Sequence, residues 1–399
     1  MSRTLFKTKL SSIAIVLQGQ SPESKFYSIN EGTPFLQGNR TFGNLFPTFD
    51  TYTKKITKLA KKGEVLMSVR APVGDLNFAP CDVCIGRGLA SIKAKDGDNK
   101  FVYYALKYNI QNLLKQGAAT TFDSVNKDII NDFQLIIPKE ELSRTKASAI
   151  LSVIDEKIEL NNCINAELES IAKTIFNYWF LQFNFPNEKG KPYKSSGGKM
   201  VWNKEIKKEI PEGWEVKNLF NGMDVQYGFP FSTTKFTAEI TDKPIVRIRD
   251  ILKNTISVYT TEDVDEKYKL LQKDLLIGMD GNFHLNFWDK NGSYLNQRSV
   301  RIRAKENSNI SVFQAYLELT PYIKAREKNI SRTTVGHLSD KDLKRLFLVS
   351  PNKSDNFRPR EVFDTLLEKL IMNRLENQKL SELRDWLLPM LMNGHIIFN

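Results

Sequence analysis

Few residues in this 399-residue sequence have types and spacing suited to catalysis. Cys81 and Cys84 form a Cys-x2-Cys pair, which zinc sites use, but a structural zinc ion needs four ligands and neither a second pair nor a histidine cluster completes the set. Gly197-Gly198-Lys199 lacks the first glycine and the hydroxyl residue of a phosphate-binding P-loop. We therefore predict no metal site and no nucleotide site in this chain.

Methyl-transfer and nuclease motifs are also not recognisable. An amino-methyltransferase holds its flipped base in a loop with consecutive prolines, and the sequence contains no Pro-Pro dipeptide. The acidic residues are scattered, without an Asp…Glu-x-Lys nuclease core after a strand. We predict a binding protein without catalytic residues. The alternatives are an enzyme, either a DNA methyltransferase or a nuclease, with an unrecognised active site, and a purely structural interaction protein.

Hydrogen-bonding side chains concentrate instead in matching loops of the two halves of the sequence. Arg, Lys, Gln, Asn and Thr carry both phosphate contacts and hydrogen bonds to base edges, so this concentration favours a DNA ligand. In the first half, the predicted DNA-binding residues are Gln37, Asn39, Arg40, Arg70, Arg87, Thr120, Thr121 and Lys127. In the second half, they are Arg247, Arg249, Arg298, Arg301, Arg303, Arg332, Thr333, Thr334 and His337.

Each of these residues also has a purely structural interpretation. Arg301 and Arg303 alternate along a predicted strand and would then form its solvated face. The two Thr-Thr pairs would cap turns between a helix and a strand, and His337 would be an ordinary loop histidine. The prediction therefore depends on the repeated pattern rather than on any one side chain.

The elements that must position these loops occur twice. Residues 34–39 align with residues 244–249, and residues 63–70 align with residues 273–280, since 244 − 34 and 273 − 63 both equal 210. The offset then drifts, because Arg87 is aligned with Arg298 at 298 − 87 = 211 and Thr120 with Thr333 at 333 − 120 = 213. An internal repeat with small loop insertions is therefore predicted.

Each repeat is predicted to be an α+β domain followed by a long helix. Alternating apolar runs between turn residues predict strands at residues 64–69, 89–93, 243–248, 274–279 and 300–303. Helices are predicted late in each domain, at residues 101–115 and 312–328. The predicted segments are a domain at 1–140, a spacer helix at 141–182, a linker at 183–210, a second domain at 211–352, and a second spacer helix with a C-terminal tail at 353–399.

Both long helices show the heptad spacing of a coiled coil. In the first helix the predicted seam consists of Ile150, Ile154, Ile164, Leu168, Ile171 and Ile175, with Lys157 and Asn161 in the remaining positions. In the second helix it consists of Leu366, Leu370, Leu380 and Leu387, followed by Leu391, with Asn373, Asn377 and Arg384 in the polar positions.

A helix of about 40 residues spans about 60 Å, which exceeds one domain of this size. We therefore predict that the two helices pair with each other in antiparallel fashion and separate two domains related by a pseudo-two-fold axis. Packing of each helix across its own domain is the alternative. A pseudo-dimer of this kind suits duplex DNA with two half-sites.

Composition is compatible with a nucleic-acid partner. The 58 Lys and Arg against 46 Asp and Glu give a formal charge of +12 and a pI near 9.3, although such an excess also serves solubility alone. Three cysteines and no apolar leader indicate a reducing, cytoplasmic environment without disulfides or a membrane segment.

Three segments resemble one known family, the specificity subunits of type I restriction-modification enzymes. The linker at residues 185–200, with the sequence FPNEKGKPYKSSGGKM, resembles the central connector of that family. The motif IPEGW at 210–214 resembles the start of a target-recognition domain, and LLPMLMNG at 387–394 resembles the end of the second helix. The first domain lacks the Pro-Glu-Gly-Trp start, so its own beginning is not marked.

The resemblance covers essentially the whole chain and carries further expectations. It implies two target-recognition domains that each recognise one half of a bipartite DNA site. It also implies that the helices dock two methyltransferase subunits, to which restriction and translocase subunits attach. S-adenosylmethionine, ATP and magnesium are then expected on those partners and not on this chain. Because the paired loops differ in side chains, the two half-sites should differ in sequence.

Overall fold

The computed structural model describes residues 5–117, 124–328, 336–351 and 357–396, with only the backbone for 111–117. It divides into two compact units. Unit 1 comprises Met1–Asn161 and Glu376–Asn399, and unit 2 comprises Asn162–Leu375. The unit boundaries lie within the two long helices, so each helix contributes one part to each unit.

Unit 1 contains three sheets and the helices that cover them. The strands are β1 (Leu5–Lys9), β2 (Ala14–Gln18), β3 (Tyr27–Ser28), β4 (Thr33–Leu36), β5 (Tyr52–Thr53), β6 (Leu59–Ala60), β7 (Val65–Ser68), β8 (Leu76–Phe78), β9 (Val83–Ile85), β10 (Leu89–Ala94) and β11 (Gln134–Pro138). The helices are α1 (Leu10–Ile13), α2 (Asn99–Gly117), α3 (Lys127–Asp132) and the first part of α4 (Glu141–Phe176). The sheet orders are β1-β11, β2-β10-β7-β8 and β3-β5-β4-β9-β6.

Unit 2 repeats this plan and adds a hairpin. The strands are β12 (Met200–Asn203), β13 (Lys208–Pro211), β14 (Glu215–Asn218), β15 (Met223–Tyr227), β16 (Phe236–Thr237), β17 (Pro244–Val246), β18 (Val258–Thr260), β19 (Leu275–Gly278), β20 (Leu285–Phe287), β21 (Tyr294–Leu295), β22 (Ser299–Ala304) and β23 (Phe347–Ser350). The helices are α5 (Leu219–Gly222), α6 (Ile248–Ile251), α7 (Val312–Lys328), α8 (Asp340–Leu343) and the first part of α9 (Pro359–Met392). The sheet orders are β12-β13, β14-β23, β15-β22-β19-β20 and β16-β18-β17-β21.

Strand pairing shows that the two units share one topology. The four-stranded order β2-β10-β7-β8 of unit 1 corresponds to β15-β22-β19-β20 of unit 2, and the pair β1-β11 corresponds to β14-β23. The central strands β7, β10, β19 and β22 are largely buried, because their apolar side chains face the cores of their units. The prediction of a repeated α+β domain is confirmed, and all five predicted strands are present.

The structure corrects one detail of the predicted alignment. Leu89 pairs with Ser68 in unit 1, and Ser299 pairs with Gly278 in unit 2, so the offset is still 299 − 89 = 210 at this point. Arg298 is therefore equivalent to Gly88, and Arg87 is equivalent to Gln297. The predicted pairing of Arg87 with Arg298 was wrong by one residue, because two identical residues in neighbouring positions attracted the alignment.

Within each unit, α4 and α9 pack against each other in antiparallel fashion. In unit 1, Asn161 donates to the Asn377 amide oxygen at 2.9 Å, and Asp155 accepts from Arg384 at 2.8 Å. In unit 2, the Asn373 amide donates to Asn165 at 2.9 Å. As residue numbers decrease along α4, those of its partners increase along α9, which is the antiparallel order that the sequence predicted.

The seam of α4 differs from the predicted one. Ile154 is buried and Leu168 and Ile175 are partly buried, but Ile150, Ile164 and Ile171 are exposed. The buried stripe follows a regular alternation of four and three residues and consists of Ala147, Leu151, Ile154, Ile158, Asn161, Asn165, Leu168, Ala172 and Ile175. One of the two seam positions in each heptad was predicted correctly, and the other was placed one residue too early. Ile164 and Ile171 were chosen because they are more apolar than the adjacent seam residues Asn165 and Ala172.

The seam positions of α9 lie close to those predicted. Leu370 is buried, and Leu366, Leu380 and Leu387 are partly buried. Phe363, Leu367, Ile371 and Leu391 are also buried on this side of the helix. The helix continues through Pro389 and ends at Met392, shortly before Gly394 in a left-handed conformation.

Candidate nucleic-acid interface

Four short segments of unit 1 meet where the strands β2, β4, β7 and β9 end. Gly88 donates from its backbone to the Gln37 carbonyl oxygen at 3.1 Å, and a Cβ atom on Gly88 would lie 2.5 Å from that oxygen. Only glycine permits this close approach. We call residues 19–21, 37–38, 69–70 and 86–88 the unit 1 loop cluster.

The side chains of this cluster are partly fixed and partly free. Ser21 donates from its hydroxyl to the Gln37 side-chain oxygen at 3.0 Å and accepts from the Arg87 backbone at 3.3 Å. This arrangement orients Gln37 and leaves its amide nitrogen exposed. The side chains of Arg70 and Arg87 are exposed and have no hydrogen-bond or ion-pair partner among the described residues.

The cluster therefore contains the oriented Gln37 amide and two guanidinium groups, those of Arg70 and Arg87, that have no partner among the described residues. The Val69 backbone N–H donates to the Gly88 carbonyl oxygen at 2.9 Å. This hydrogen bond joins the chain segments that contain Arg70 and Arg87. An arginine without an internal partner is available for bidentate hydrogen bonding to guanine or phosphate.

Three other residues of unit 1 were also predicted to bind DNA. Asn39 donates to Asp75 at 2.6 Å, and Arg40 forms an exposed ion pair with Asp50 at 2.6 Å. The hydrogen bond from Arg40 holds the pKa of the Asp50 carboxyl below its usual value. Lys127, the first residue of α3, is exposed and has no side-chain partner in the part of the chain that is described.

Unit 2 forms the equivalent cluster with different side chains. The Asn296 backbone donates to Val246 at 3.0 Å and the Met279 backbone donates to Arg298 at 2.9 Å, as their counterparts do in unit 1. We call residues 228–229, 247, 279–280, 296–298 and 337 the unit 2 loop cluster.

An acidic residue organises the unit 2 loop cluster. Asp280 accepts from the Arg298 Nη1 atom at 2.8 Å and from the His337 Nδ1 atom at 2.6 Å, each with a different carboxylate oxygen. Burial tends to raise the pKa of Asp280, but the hydrogen bonds from His337 and Arg298 outweigh burial, and its pKa lies below the usual value. Asp280 is therefore an ionised acceptor for both side chains.

Three arginines predicted to bind DNA are held inside unit 2 instead. Only 5% of the Arg301 side chain is exposed, and it pairs with Asp224 at 2.6 Å. Arg303 donates from two nitrogens to Asp274, both at 2.7 Å, and Asp274 is buried.

Burial keeps the Arg301 guanidinium away from solvent, so the structure gives no support to its predicted role in DNA binding. Arg303 does not form the solvated face of the strand either, since its donors are used within the unit. Arg247 is likewise engaged with Asp250 and Ser257 and is mostly buried.

Arg249 retains its predicted availability, because it is exposed and has no side-chain partner among the described residues. The remaining predicted residues, Thr120, Thr121, Arg332, Thr333 and Thr334, lie outside the described residues. The prediction did not include Ser21 or Asp280. Asp280 could have been found, because the repeat alignment places it opposite Arg70 and thus reverses the charge at one loop position.

The described residues were also compared with what a metal site or a membrane span requires. In the described ranges, no three His, Cys, Asp or Glu side chains converge as a metal site would require. Cys84 is buried in β9 and Cys81 is partly buried. None of the described helices has both the length and the apolar character that a membrane span needs.

Comparison with known proteins gives consistent results. The family model of the type I restriction modification DNA specificity domain matches residues 6–170 and 211–384, which covers both repeats. The MjaIX specificity subunit of Methanocaldococcus jannaschii is 25% identical over an alignment of 414 positions, spanning 97% of this chain and 92% of that protein. A putative MjaX specificity subunit of the same organism is 39% identical over 165 residues, which span 41% of this chain and 39% of that protein.

A solved structure has the same fold. The type I restriction-modification S subunit from M. genitalium superposes with a TM-score of 0.63 at 17% identity, covering 98% of this chain and 97% of that one. At this identity the likeness establishes the fold alone.

Proposed function

Because the chain belongs to the type I restriction-modification DNA specificity family, we propose that its two loop clusters each recognise one half of an asymmetric bipartite DNA site. One observation carries the proposal: the two units share one topology but place different side chains in equivalent loops. Arg70 and Arg87 are free in unit 1, whereas Asp280 binds Arg298 and His337 in unit 2. Different donors in equivalent positions select different bases.

In this proposal the chain is the specificity subunit of its enzyme, which is the role in the names of its relatives, and it supplies no catalytic residues. We assign methyl transfer to two partner subunits that bind S-adenosylmethionine. Cleavage and translocation, with ATP and magnesium, belong in the proposal to restriction subunits that join the same assembly in the cytoplasm.

Exposed apolar side chains on the long helices support such docking. On α4 they are Leu142, Ile150, Val153 and Leu160 in unit 1 and Ile164 and Ile171 in unit 2. On α9, unit 1 exposes Leu383 and Trp386, and unit 2 exposes Val362 and Met372. Apolar rows on the outer face of a paired helix are typical of a protein interface. The three isoleucines that were predicted to lie in the seam belong to this outer face.

The direct test of the function is a methylome comparison of the native host with and without the gene. We expect that deletion removes adenine methylation at one bipartite motif and leaves the other motifs unchanged. Complementation by the wild-type gene should restore that motif. Persistence of every methylated motif after deletion would refute the proposed function.

Substitution of Arg70 and Arg87 by alanine is expected to weaken recognition of only one half-site. If each arginine contacts a base, each substitution should cost about 1–3 kcal/mol of discrimination at that base. Binding of the purified complex with its methyltransferase partners would be measured on the cognate site and on sites altered in either half.

Lys61→Ala is the matched control for this pair, because it removes one exposed positive charge of unit 1 that is paired with Asp82 at 2.7 Å and is not among the predicted DNA-binding residues. A loss that is uniform across sequences and lowers the salt dependence of binding would show that Arg70 and Arg87 contact phosphates. Equal loss in both half-sites would contradict the independence of the two units.

A further inference from the structure

We propose that Asp280 is a positioning residue that fixes Arg298 and His337 for contact with the half-site recognised by unit 2. The inference deepens the proposed function and rests on it. Asp280 itself does not face the ligand, since only 17% of its side chain is exposed. Its two partners extend outward, with 69% of the Arg298 side chain and 59% of the His337 side chain exposed.

The backbone of Arg298 indicates that this side chain serves more than stability. Arg298 has a φ of 62°, in the left-handed region that a non-glycine residue occupies at a cost. The equivalent residue of unit 1 is Gly88, which accepts the same backbone hydrogen bond. Gly88 is not in the left-handed region, so the strained backbone at this position is a feature of unit 2 and its arginine. With 69% of the Arg298 side chain open to solvent, its ion pair adds little stability, so stability alone does not account for an arginine here.

The arrangement in which Asp280 holds Arg298 and His337, which we call the clamp, is specific to unit 2. Isolated bridges pair Asp280 with His337 in unit 2 and Arg70 with Ser124 in unit 1, which establishes these positions as equivalent. Unit 1 thus has a cation without a partner among the described residues where unit 2 has the anchoring carboxylate. The two units thus position their donors by different means on equivalent strands.

The hydrogen bonds define which atoms remain for the ligand. An ionised Asp280 can only accept, so His337 carries a proton on Nδ1 and its Nε2 atom points away from the clamp. Arg298 uses Nη1 for Asp280 and keeps Nε and Nη2 as donors. A fork of donors matches the O6 and N7 acceptors of guanine in the major groove. We therefore assign Arg298 to a guanine.

Holding both side chains before binding reduces the entropy that is lost on binding, because a free arginine has many rotamers. Asp280→Asn removes the charge but keeps the shape, and the neutral amide holds a guanidinium less firmly. We expect a fall of about tenfold in discrimination at the second half-site, with the first half-site unaffected.

Asp263→Asn is the matched control. Asp263 is an exposed acidic residue of unit 2 that is paired with Lys243 at 2.6 Å, so its substitution changes the net charge by the same amount. Both variants should gain the same small increase in nonspecific DNA affinity through charge alone. Only Asp280→Asn should lose discrimination.

The measurement is equilibrium binding of the assembled complex to the cognate site and to sites altered in one half, with the thermal midpoint of each variant. In a cycle with Arg298→Ala, the double variant should discriminate no worse than Arg298→Ala alone. Replacing one guanine of the second half-site by 7-deazaguanine, which lacks N7, should weaken binding by the wild type but not by Arg298→Ala.

The outcomes separate this inference from the proposed function. If Arg298→Ala loses discrimination and Asp280→Asn behaves like Asp263→Asn, the positioning role is overturned while the proposed function stands. If Asp280→Asn lowers the thermal midpoint and weakens both half-sites equally, its role is structural and the inference is also overturned. If neither Arg298→Ala nor the Arg70 and Arg87 substitutions alter discrimination in either half-site, the proposed interface itself fails.

Discussion

Replacement of Arg384 by alanine is expected to destabilise unit 1 by about 3–5 kcal/mol. Arg384 of α9 donates to Asp155 of α4 at 2.8 Å, with only 12% and 1% of the two side chains exposed. The Tyr104 hydroxyl donates to the other carboxylate oxygen of Asp155 at 2.8 Å. Burial raises the pKa of Tyr104, which keeps the hydroxyl a donor. Without Arg384, a buried carboxylate loses the charged group that lies 2.8 Å from it.

The ion pair of Glu156, the residue that follows Asp155, provides the control for this substitution. Lys100→Ala removes an ion pair with Glu156 at 2.6 Å, which is adjacent to Asp155 in the same helix but exposed. Such pairs contribute about 0–1 kcal/mol. Urea unfolding of the purified chain would compare the two variants. If Arg384→Ala destabilises no more than Lys100→Ala, the buried pair does not hold the helices of unit 1 together.

The heptad pattern predicted the helices and their antiparallel pairing but placed half of the α4 seam on the wrong residues. Counting apolar residues favoured Ile150, Ile164 and Ile171 over Asn165 and Ala172. The structure buries Asn165 because its amide hydrogen-bonds to Asn373 across the seam, and it exposes the isoleucines on the outer face. When a helix has two apolar faces, periodicity alone does not show which face forms the seam, because both faces have the same period.

The candidate interface was predictable at the level of loops but not of side chains. The repeat identified the loops that contain Arg70, Arg87 and Arg298. It did not distinguish free arginines from internal ones, because the partners of Arg301 and Arg303 are distant in sequence. Asp224 lies on β15, which pairs with β22, and Asp274 directly precedes β19. Strand pairing brings these charges together, and a single sequence does not specify that pairing.

The second large effect concerns pH, and we expect unit 2 to lose stability between pH 5 and pH 8 through Glu318. The carboxylate of Glu318 on α7 accepts from the Val349 backbone at 3.0 Å, and Gln314 bridges Glu318 and the Val349 carbonyl oxygen at 2.8 and 2.6 Å. In unit 1, Asn109 bonds both backbone groups of Ile136, the residue equivalent to Val349. One neutral amide thus does in unit 1 what the Glu318 carboxyl and the Gln314 amide do together in unit 2.

Burial raises the pKa of Glu318 from 4.5 to about 7, and the hydrogen bonds from Gln314 and Val349 offset only part of this effect. The folded state therefore holds a proton that the unfolded chain releases at lower pH. The stabilising contribution is complete below pH 4.5 and is lost as the pH rises through about 7. A shift of this size corresponds to about 3 kcal/mol between the two limits.

Glu318→Gln isolates this contribution, because other groups also titrate between pH 5 and pH 8. A glutamine adds a fixed offset of either sign, since its amide nitrogen faces the Gln314 donor, but the offset does not change with pH. Urea unfolding at several pH values should show the variant gaining about 2–3 kcal/mol relative to the wild type between pH 5 and pH 8. Asn109→Asp should introduce the same type of pH dependence into unit 1, whereas Asn109→Ala should not. A constant difference between Glu318→Gln and the wild type across this range would show that Glu318 has the same charge in the folded and unfolded chain, and that the anchor of α7 to β23 does not respond to pH.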